Sequence, residues 1–387
     1  MIAVIADDFT GAAEIGGIGL RHGLNVVIET NVDRAEKCDL LVIASDTRSM
    51  TAEMASAEIE AITFKLMTLK PRFIFKKLDS VLRGNIVAEL SAQMQAMNKS
   101  KAIIVAGNPY YERFIKEGVY YVKGKPLAET FFANDPEFPI ATSNVMEIIK
   151  SDHMAIVNLN AGDQLPDEGI VVGNVCCEAE LFNWGSQIDN SIIAAGGSGF
   201  FSVLLKKYYT ELANPVVPTF ILGENSLFVF GSKFPKSKAL ASQMNGSSFV
   251  TKNMPKQIYQ STALMIDEIE VWANEITANL VEGQRVMVTI DHSNEMEMAQ
   301  TASIKENIGL LISNVIKKVN INDLLIEGGA TTSAILKQMN ITKLYPFREF
   351  DHGVIQMKVD AYPELCITTK PGSYTWPGEL WISKTNN

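Results

Sequence analysis

Two aspartates, Asp7 and Asp8, stand directly behind the apolar run Ile2–Ala6 and are followed by Thr10 and Gly11. Ligands of open parallel sheets bind beyond the carboxyl ends of strands, so residues placed there are the first candidates for chemistry. One aspartate is enough to cap a helix. A second leaves a carboxylate to orient a hydroxylated ligand. The stretch Lys76-Lys77-Leu78-Asp79-Ser80-Val81-Leu82-Arg83-Gly84-Asn85 again closes an apolar run. Arg83 suits bidentate pairing with a ligand carboxylate. Asp79 suits accepting a sugar hydroxyl or taking its proton. The plainer alternative is an internal Asp79–Arg83 ion pair on a first helical turn. Ser45–Ser49, after Leu40–Ala44, brings Arg48 to the same rim. Three such groups at three strand ends describe a site for a small polyhydroxylated acid.

The second half carries small residues where the first carries charge. Gly231-Ser232, Glu327-Gly328-Gly329-Ala330-Thr331-Thr332 and Lys370-Pro371-Gly372-Ser373 each follow an apolar run. Glycine at a strand-to-helix turn lets backbone N–H groups approach phosphate oxygens, and a helix N-terminus adds positive potential. Any one of these turns alone reads as an ordinary tight turn. Three in one domain point to a nucleotide crossing the sheet edge. Other signatures are missing from the chain. There is no GxxxxGK[ST], the Gly16–Gly23 run misses GxGxxG spacing, and Gly196–Gly199 is no nucleophile elbow. The four histidines are scattered, with no HExxH.

The elements that must position these residues alternate short β-branched runs with helical periods, which predicts an α/β fold. Strands are expected near 2–6, 25–29, 40–44, 73–77, 102–106, 155–158, 170–173 and 192–195, with helices near 11–22, 52–69 and 86–97. The densest chain breakers, Asn214–Pro215, Pro218 and Gly223, mark a junction. The expectation is two α/β domains, 1–214 and 215–387, with mostly parallel sheets and a cleft between them. In the second domain strands are expected near 227–231, 285–290, 323–327, 344–347, 354–359 and 365–370. Helices are expected near 262–280 and 299–319, with a short one ending at Met339.

The 387 residues carry 34 Lys and Arg against 44 Asp and Glu, a net charge of −10, with 47% hydrophobic residues. That composition supports large cores and excludes general disorder. The acidic balance argues against nucleic acid or anionic membranes as partners. No run approaches a membrane span, and the N-terminus reads as a strand rather than a signal peptide. Four cysteines, two of them adjacent, make no disulfide framework. A cytoplasmic protein is expected, its homo-oligomeric state left open.

These motifs resemble the four-carbon acid sugar kinases. The matching stretches are ADDFTGAAE at 6–14 and KKLDSVLRGN at 76–85, supported by residues 108–139, FVFGS at 228–232, EGGATTSAIL at 327–336 and TKPGSY at 369–374. The resemblance implies an N-terminal acid-sugar-binding domain and a C-terminal ATP-binding domain. It implies ATP-dependent phosphorylation of the terminal hydroxyl of a four-carbon sugar acid such as threonate or erythronate. Substrate contacts then fall on Asp7, Asp8, Arg48, Lys77, Leu78, Asp79, Ser80 and Arg83, with Asp8 or Asp79 taking the hydroxyl proton. Nucleotide contacts fall on Ser232, Gly328, Gly329, Ala330, Thr331 and Gly372, with Mg2+ bridging the phosphates and no metal ligand assigned. Val81 stands where the family pattern has threonine, and Ala330 where it has an acidic residue. The rivals are a non-catalytic sugar-acid sensor and an NAD-linked sugar-acid dehydrogenase.

Overall fold

A computed structural model describes residues 1–33, 37–135, 137–212, 220, 222–231, 249–290 and 298–381. The chain divides into two compact units, Met1–Ala213 and Asn214–Asn387. The expected junction residues Asn214, Pro215 and Pro218 lie outside the described residues.

The first unit runs β1 (Ile2–Ala6), α1 (Phe9–Arg21), β2 (Val26–Glu29), β3 (Leu40–Ala44), α2 (Ala52–Thr68), β4 (Ile74–Lys77), α3 (Ile86–Ala96) and β5 (Lys101–Val105). It continues with β6 (Arg113–Lys116), β7 (Val119–Val122), β8 (Lys125–Pro126), α4 (Val145–Ile148), β9 (Ile156–Leu159), β10 (Gly169–Gly173), α5 (Glu178–Gln187), β11 (Ile192–Gly196) and α6 (Ser198–Lys206). Its main sheet has the order β2-β3-β1-β4-β11-β5-β10-β9, with every pair parallel. The runs IAVIA of β1 and LLVIA of β3 are buried along their whole length, as parallel strands covered on both faces must be. Register fixes the site: Ala6 pairs with both Ala44 and Lys77, and Lys77 with Gly196. The chains leaving β1, β3, β4 and β11 therefore start from one level.

One feature departs from the expected strands, and another from the plainer alternative raised for Asp79 and Arg83. Strands β6, β7 and β8 form a separate antiparallel sheet inserted between β5 and β9. Its short strands carry no long apolar period. Residues 79–83 are not the first turn of a helix either. Leu82 and Gly84 take φ of 64° and 92°, and α3 begins only at Ile86.

The second unit runs β12 (Ser226–Phe230), β13 (Phe249–Asn253), α7 (Lys256–Gln260), α8 (Ile266–Val281), β14 (Arg285–Thr289), α9 (Met298–Lys318), β15 (Asp323–Glu327), α10 (Gly329–Gln338), β16 (Lys343–Asp351), β17 (Val354–Lys358) and β18 (Cys366–Lys370). Strands β13-β14-β12-β15-β18 are parallel neighbours, while β17 and β16 continue the sheet antiparallel. Phe230 pairs with Glu327 and Glu327 with Lys370, so the turns that follow β12, β15 and β18 also start level. No helix among the described residues is long and apolar enough to cross a membrane.

Candidate active site

In the first unit the sheet edge gathers the charges. Asp8 is the N-cap of α1: its extended backbone frees the side chain to accept from the Gly11 N–H at 2.7 Å, and from the Thr10 hydroxyl at 2.9 Å. Arg48 follows β3 in a short turn entered through Asp46 in the left-handed region. Its Nε donates to Asp7 at 2.7 Å and its Nη1 to Asp8 at 2.8 Å, with Nη2 3.5 Å from Asp79. One guanidinium thus faces three carboxylates from two strand ends besides its own.

Arg83 forks onto Asp79, Nε at 2.8 Å and Nη2 at 2.7 Å, and sends Nη1 to Asp135 at 2.8 Å. The internal Asp79–Arg83 pair raised as the plainer alternative is therefore present, although in an irregular turn. The N–H groups of Val81 and Arg83 also donate to Asp79 at 3.1 Å, so this carboxylate shapes its own loop. A guanidinium has five N–H donors. These contacts engage three on Arg83, leaving one on each terminal nitrogen for a ligand oxygen.

Lys77 points toward α1, with Nζ 3.4 Å from Glu14 and donating to the Leu78 carbonyl at 2.9 Å. Glu14 also accepts the Ser198 hydroxyl at 2.8 Å, which ties in the start of α6. Leu78 itself is buried among apolar side chains and meets this edge only through its backbone. Ser80 is half-buried, and its carbonyl accepts the Tyr120 hydroxyl. Lys76, one residue earlier, takes the other face of β4 and pairs with Glu89 at 2.5 Å in the interior.

Burial and pairing pull these groups apart electrostatically. Burial works to raise the Asp79 pKa, but Arg83 and then Arg48 hold it well below the usual carboxylate range. Asp8 is lowered in the same way, against burial, by Arg48 and Lys77. Asp7 moves upward: burial outweighs its bond to Arg48, and its Oδ1 is buried without a hydrogen-bond partner. Asp8 is the more accessible carboxylate, its side chain 13% exposed against 4% for Asp7 and Asp79.

The second unit presents backbone. Gly328, with φ of 100°, caps α10 without a side-chain bond, and no acidic residue occupies the helix's first turn. A helix start carries unpaired N–H groups and the positive end of the helix dipole, which suits phosphate. Gly231 lies so close that a Cβ there would stand 2.1 Å from Thr331 Oγ1. Gly329 and Thr331 are buried, while Ala330 and Gly372 are partly exposed. Ser232 lies outside the described residues. Among the described residues, no three His, Cys, Asp or Glu side chains form a group able to hold a metal ion.

Comparison with known proteins agrees with this division. A family model described as a sugar-binding N-terminal domain matches residues 2–204, and one described as a nucleotide-binding C-terminal domain matches 227–374. A D-threonate kinase of Salmonella typhimurium is 38% identical over 149 residues, 38% of this chain and 35% of that one. A D-erythronate kinase of Heliobacterium modesticaldum is 29% identical over 154 residues, covering 38% and 35%. A 3-oxo-tetronate kinase of Pseudomonas fluorescens is 22% identical over 411 residues, covering 97% and 94%. The chain belongs to the four-carbon acid sugar kinase family. Two solved structures share the fold over 98% of both chains. One is a Salmonella typhimurium LT2 protein (TM-score 0.75, 19% identical) and the other Haemophilus influenzae protein HI1011 (TM-score 0.69, 18% identical).

Within this kinase family member, three site residues escaped the reading of strand ends: Glu14, Asp135 and Tyr120. Glu14 was legible in principle, in the second turn of α1 on the same face as Gly11. Asp135 and Tyr120 arrive from the inserted segment, far along the chain from Arg83 and Ser80, and only tertiary structure brings them in.

Proposed function

We propose that the protein transfers the γ-phosphoryl group of ATP to the terminal hydroxyl of a four-carbon sugar acid of the threonate or erythronate type. The observation that carries the reading is the division of labour: a charged, hydroxyl-matching edge in the unit matched by the sugar-binding family model, and backbone turns in the unit matched by the nucleotide-binding one. The hydroxyl oxygen attacks the γ-phosphorus, the bond to the β–γ bridging oxygen breaks, and the proton passes to a carboxylate. Asp8 is assigned that proton because it is the most open of the three aspartates around Arg48. Its lowered pKa suits the task, since a loose phosphoryl transition state needs orientation more than a strong base. Asp79 is assigned to holding Arg83, whose remaining N–H groups, with those of Arg48, take the substrate carboxylate. Asp7, Lys77, Leu78 and Ser80 complete the substrate edge.

Gly328, Gly329, Ala330, Thr331 and Gly372, with Ser232, are assigned to the nucleotide. Mg2+ is expected to enter on the phosphates and neutralise their charge. A cytoplasmic location goes with this proposal, since ATP is available there. The test is ADP release with Mg·ATP across a panel of C3 to C6 sugar acids. Turnover on a four-carbon acid supports the reading and ranks the substrates. An acid that stabilises the protein thermally, without turnover and without any nucleotide effect, overturns it in favour of a sensor.

A further inference from the structure

The turn after β18 is held from beneath by a buried ion pair. Lys370 and Glu327 are the last residues of β18 and β15, register partners on adjacent parallel strands. Their side chains are 1% and 0% exposed and meet at 2.8 Å, Nζ to Oε2. The same ammonium donates to the Tyr374 carbonyl at 2.8 Å and the Pro371 carbonyl at 3.1 Å. Those two residues bracket a four-residue turn, closed by the Tyr374 N–H on the Pro371 carbonyl at 3.1 Å, with Gly372 inside it. Glu327 Oε2 also accepts the indole N–H of Trp376 at 3.2 Å, and Nζ lies 5.3 Å over that ring. A main-chain bond from Gly328 N–H to the Lys370 carbonyl, 2.9 Å, joins the turn after β15 to the turn after β18.

An ammonium has three N–H donors, and Glu327, Pro371 and Tyr374 each accept from this one. With its side chain 1% exposed, Lys370 is turned into the core. A buried ion pair of this kind seldom adds net stability over apolar side chains of similar volume, because desolvation offsets the attraction. What it does supply is direction: two carbonyls are drawn onto one nitrogen, which fixes the shape of the turn that contains Gly372. We propose that Lys370 and Glu327 are positioning residues for the nucleotide, acting through the shape of the 371–374 turn rather than by contact. The proposal rests on the reading that these turns hold ATP.

The test is titration of the full-length protein with MgADP by calorimetry, beside its thermal unfolding, for wild type, Lys370→Met and the double variant Lys370→Met/Glu327→Leu. The single variant leaves a buried carboxylate uncompensated and is expected to unfold at lower temperature. The double variant is expected to unfold within about 3 °C of wild type. It is nevertheless expected to bind MgADP roughly tenfold or more weakly, because small misplacements of a binding group are expensive. Its KM for ATP is expected to rise in proportion while its KM for the sugar acid stays unchanged. MgADP affinity within twofold of wild type in a folded double variant overturns the proposal, since the pair then only fills the core. A double variant that cannot fold overturns it as well, because a positioning pair is dispensable for folding. Failure of the wild type to bind MgADP would instead sink the nucleotide reading itself.

Discussion

The two units display opposite kinds of group at the ends of their strands. At the edge of the first, ionised side chains from three strand ends and an inserted segment share guanidinium groups: Arg48 among Asp7, Asp8 and Asp79, and Arg83 between Asp79 and Asp135. At the edge of the second stand glycines and a helix start with no side-chain cap, and the charged pair Lys370–Glu327 is buried at the last residues of β18 and β15. A site of shared charges should fail when any one charge is removed. A backbone site should tolerate changes of charge and fail when atoms are added.

The largest effect is expected from Arg48→Met, which leaves three carboxylates facing one another. Stability should fall by about 3–5 kcal/mol, the usual cost of leaving buried charge unpaired, with activity lost beyond detection. Denaturant unfolding and steady-state turnover measure both. Arg48→Lys should rescue little, since one ammonium cannot span Asp7 and Asp8 as the fork does. A variant that kept a tenth of wild-type activity would break the picture of a shared hub.

Next come the two carboxylates. Asp8→Asn is expected to lower kcat by about 10²–10⁴, the range for loss of a proton acceptor. Asp79→Asn, which loosens Arg83, should act mainly on KM for the sugar acid. Near-normal turnover in both would refute the assignment of the base, and exchanged effects would reassign it.

Gly231→Ala probes the other unit by addition. The new methyl would stand 2.1 Å from Thr331 Oγ1, so something must move. About 1–3 kcal/mol of stability is expected to be lost, as in overpacked sites, and KM for ATP should rise while KM for the acid holds. Thr331→Ala in the same chain removes the opposing hydroxyl and should restore much of the loss. No recovery would mean that the hydroxyl is itself needed.

The smallest effects concern pH. Asp8 and Asp79 are lowered in the folded state, so their contribution is present above the usual carboxylate range and fades as pH falls through their lowered values. Asp7 is raised, so its contribution has the opposite sign and fades as pH rises through its raised value. Urea unfolding across acid and neutral pH should therefore show a shallower acid limb in Asp79→Asn. In Asp7→Asn the decline toward neutral pH should flatten. Unchanged limbs in both variants would mean that these groups are not coupled to folding as their surroundings imply.

Much of this was legible before any coordinates. Short, uniformly apolar runs such as Ile2–Ala6 and Leu40–Ala44 betray parallel strands, because burial on both faces leaves no room for alternation. Once strands are placed, the polar residues behind them become candidates, and Asp7, Asp8, Arg48, Lys77, Asp79 and Arg83 do share one edge. The inserted sheet of β6, β7 and β8 was invisible to that approach. Its half-buried strands are four residues or fewer, and their pattern is weak. The helix expected near 86–97 begins at Ile86, and the first helical turn offered as the plainer setting for the Asp79–Arg83 pair gives way to a turn with positive φ at Leu82 and Gly84.

The sequence by itself determined most of the parallel strands, their ends and the types of group displayed at each end, since periodicity and turn chemistry are local. Tertiary structure alone decided the partners. Asp135 reaches Arg83 across 52 positions, and Tyr120 reaches Ser80 across 40. Whether an arginine faces a ligand or is already held by aspartates depends on distances of an ångström or two. Whether Lys370 reaches a phosphate or lies sealed against Glu327 depends on which side of a strand is covered. Register, packing and the exclusion of water set those distances, and each is a property of elements brought together rather than of any one of them.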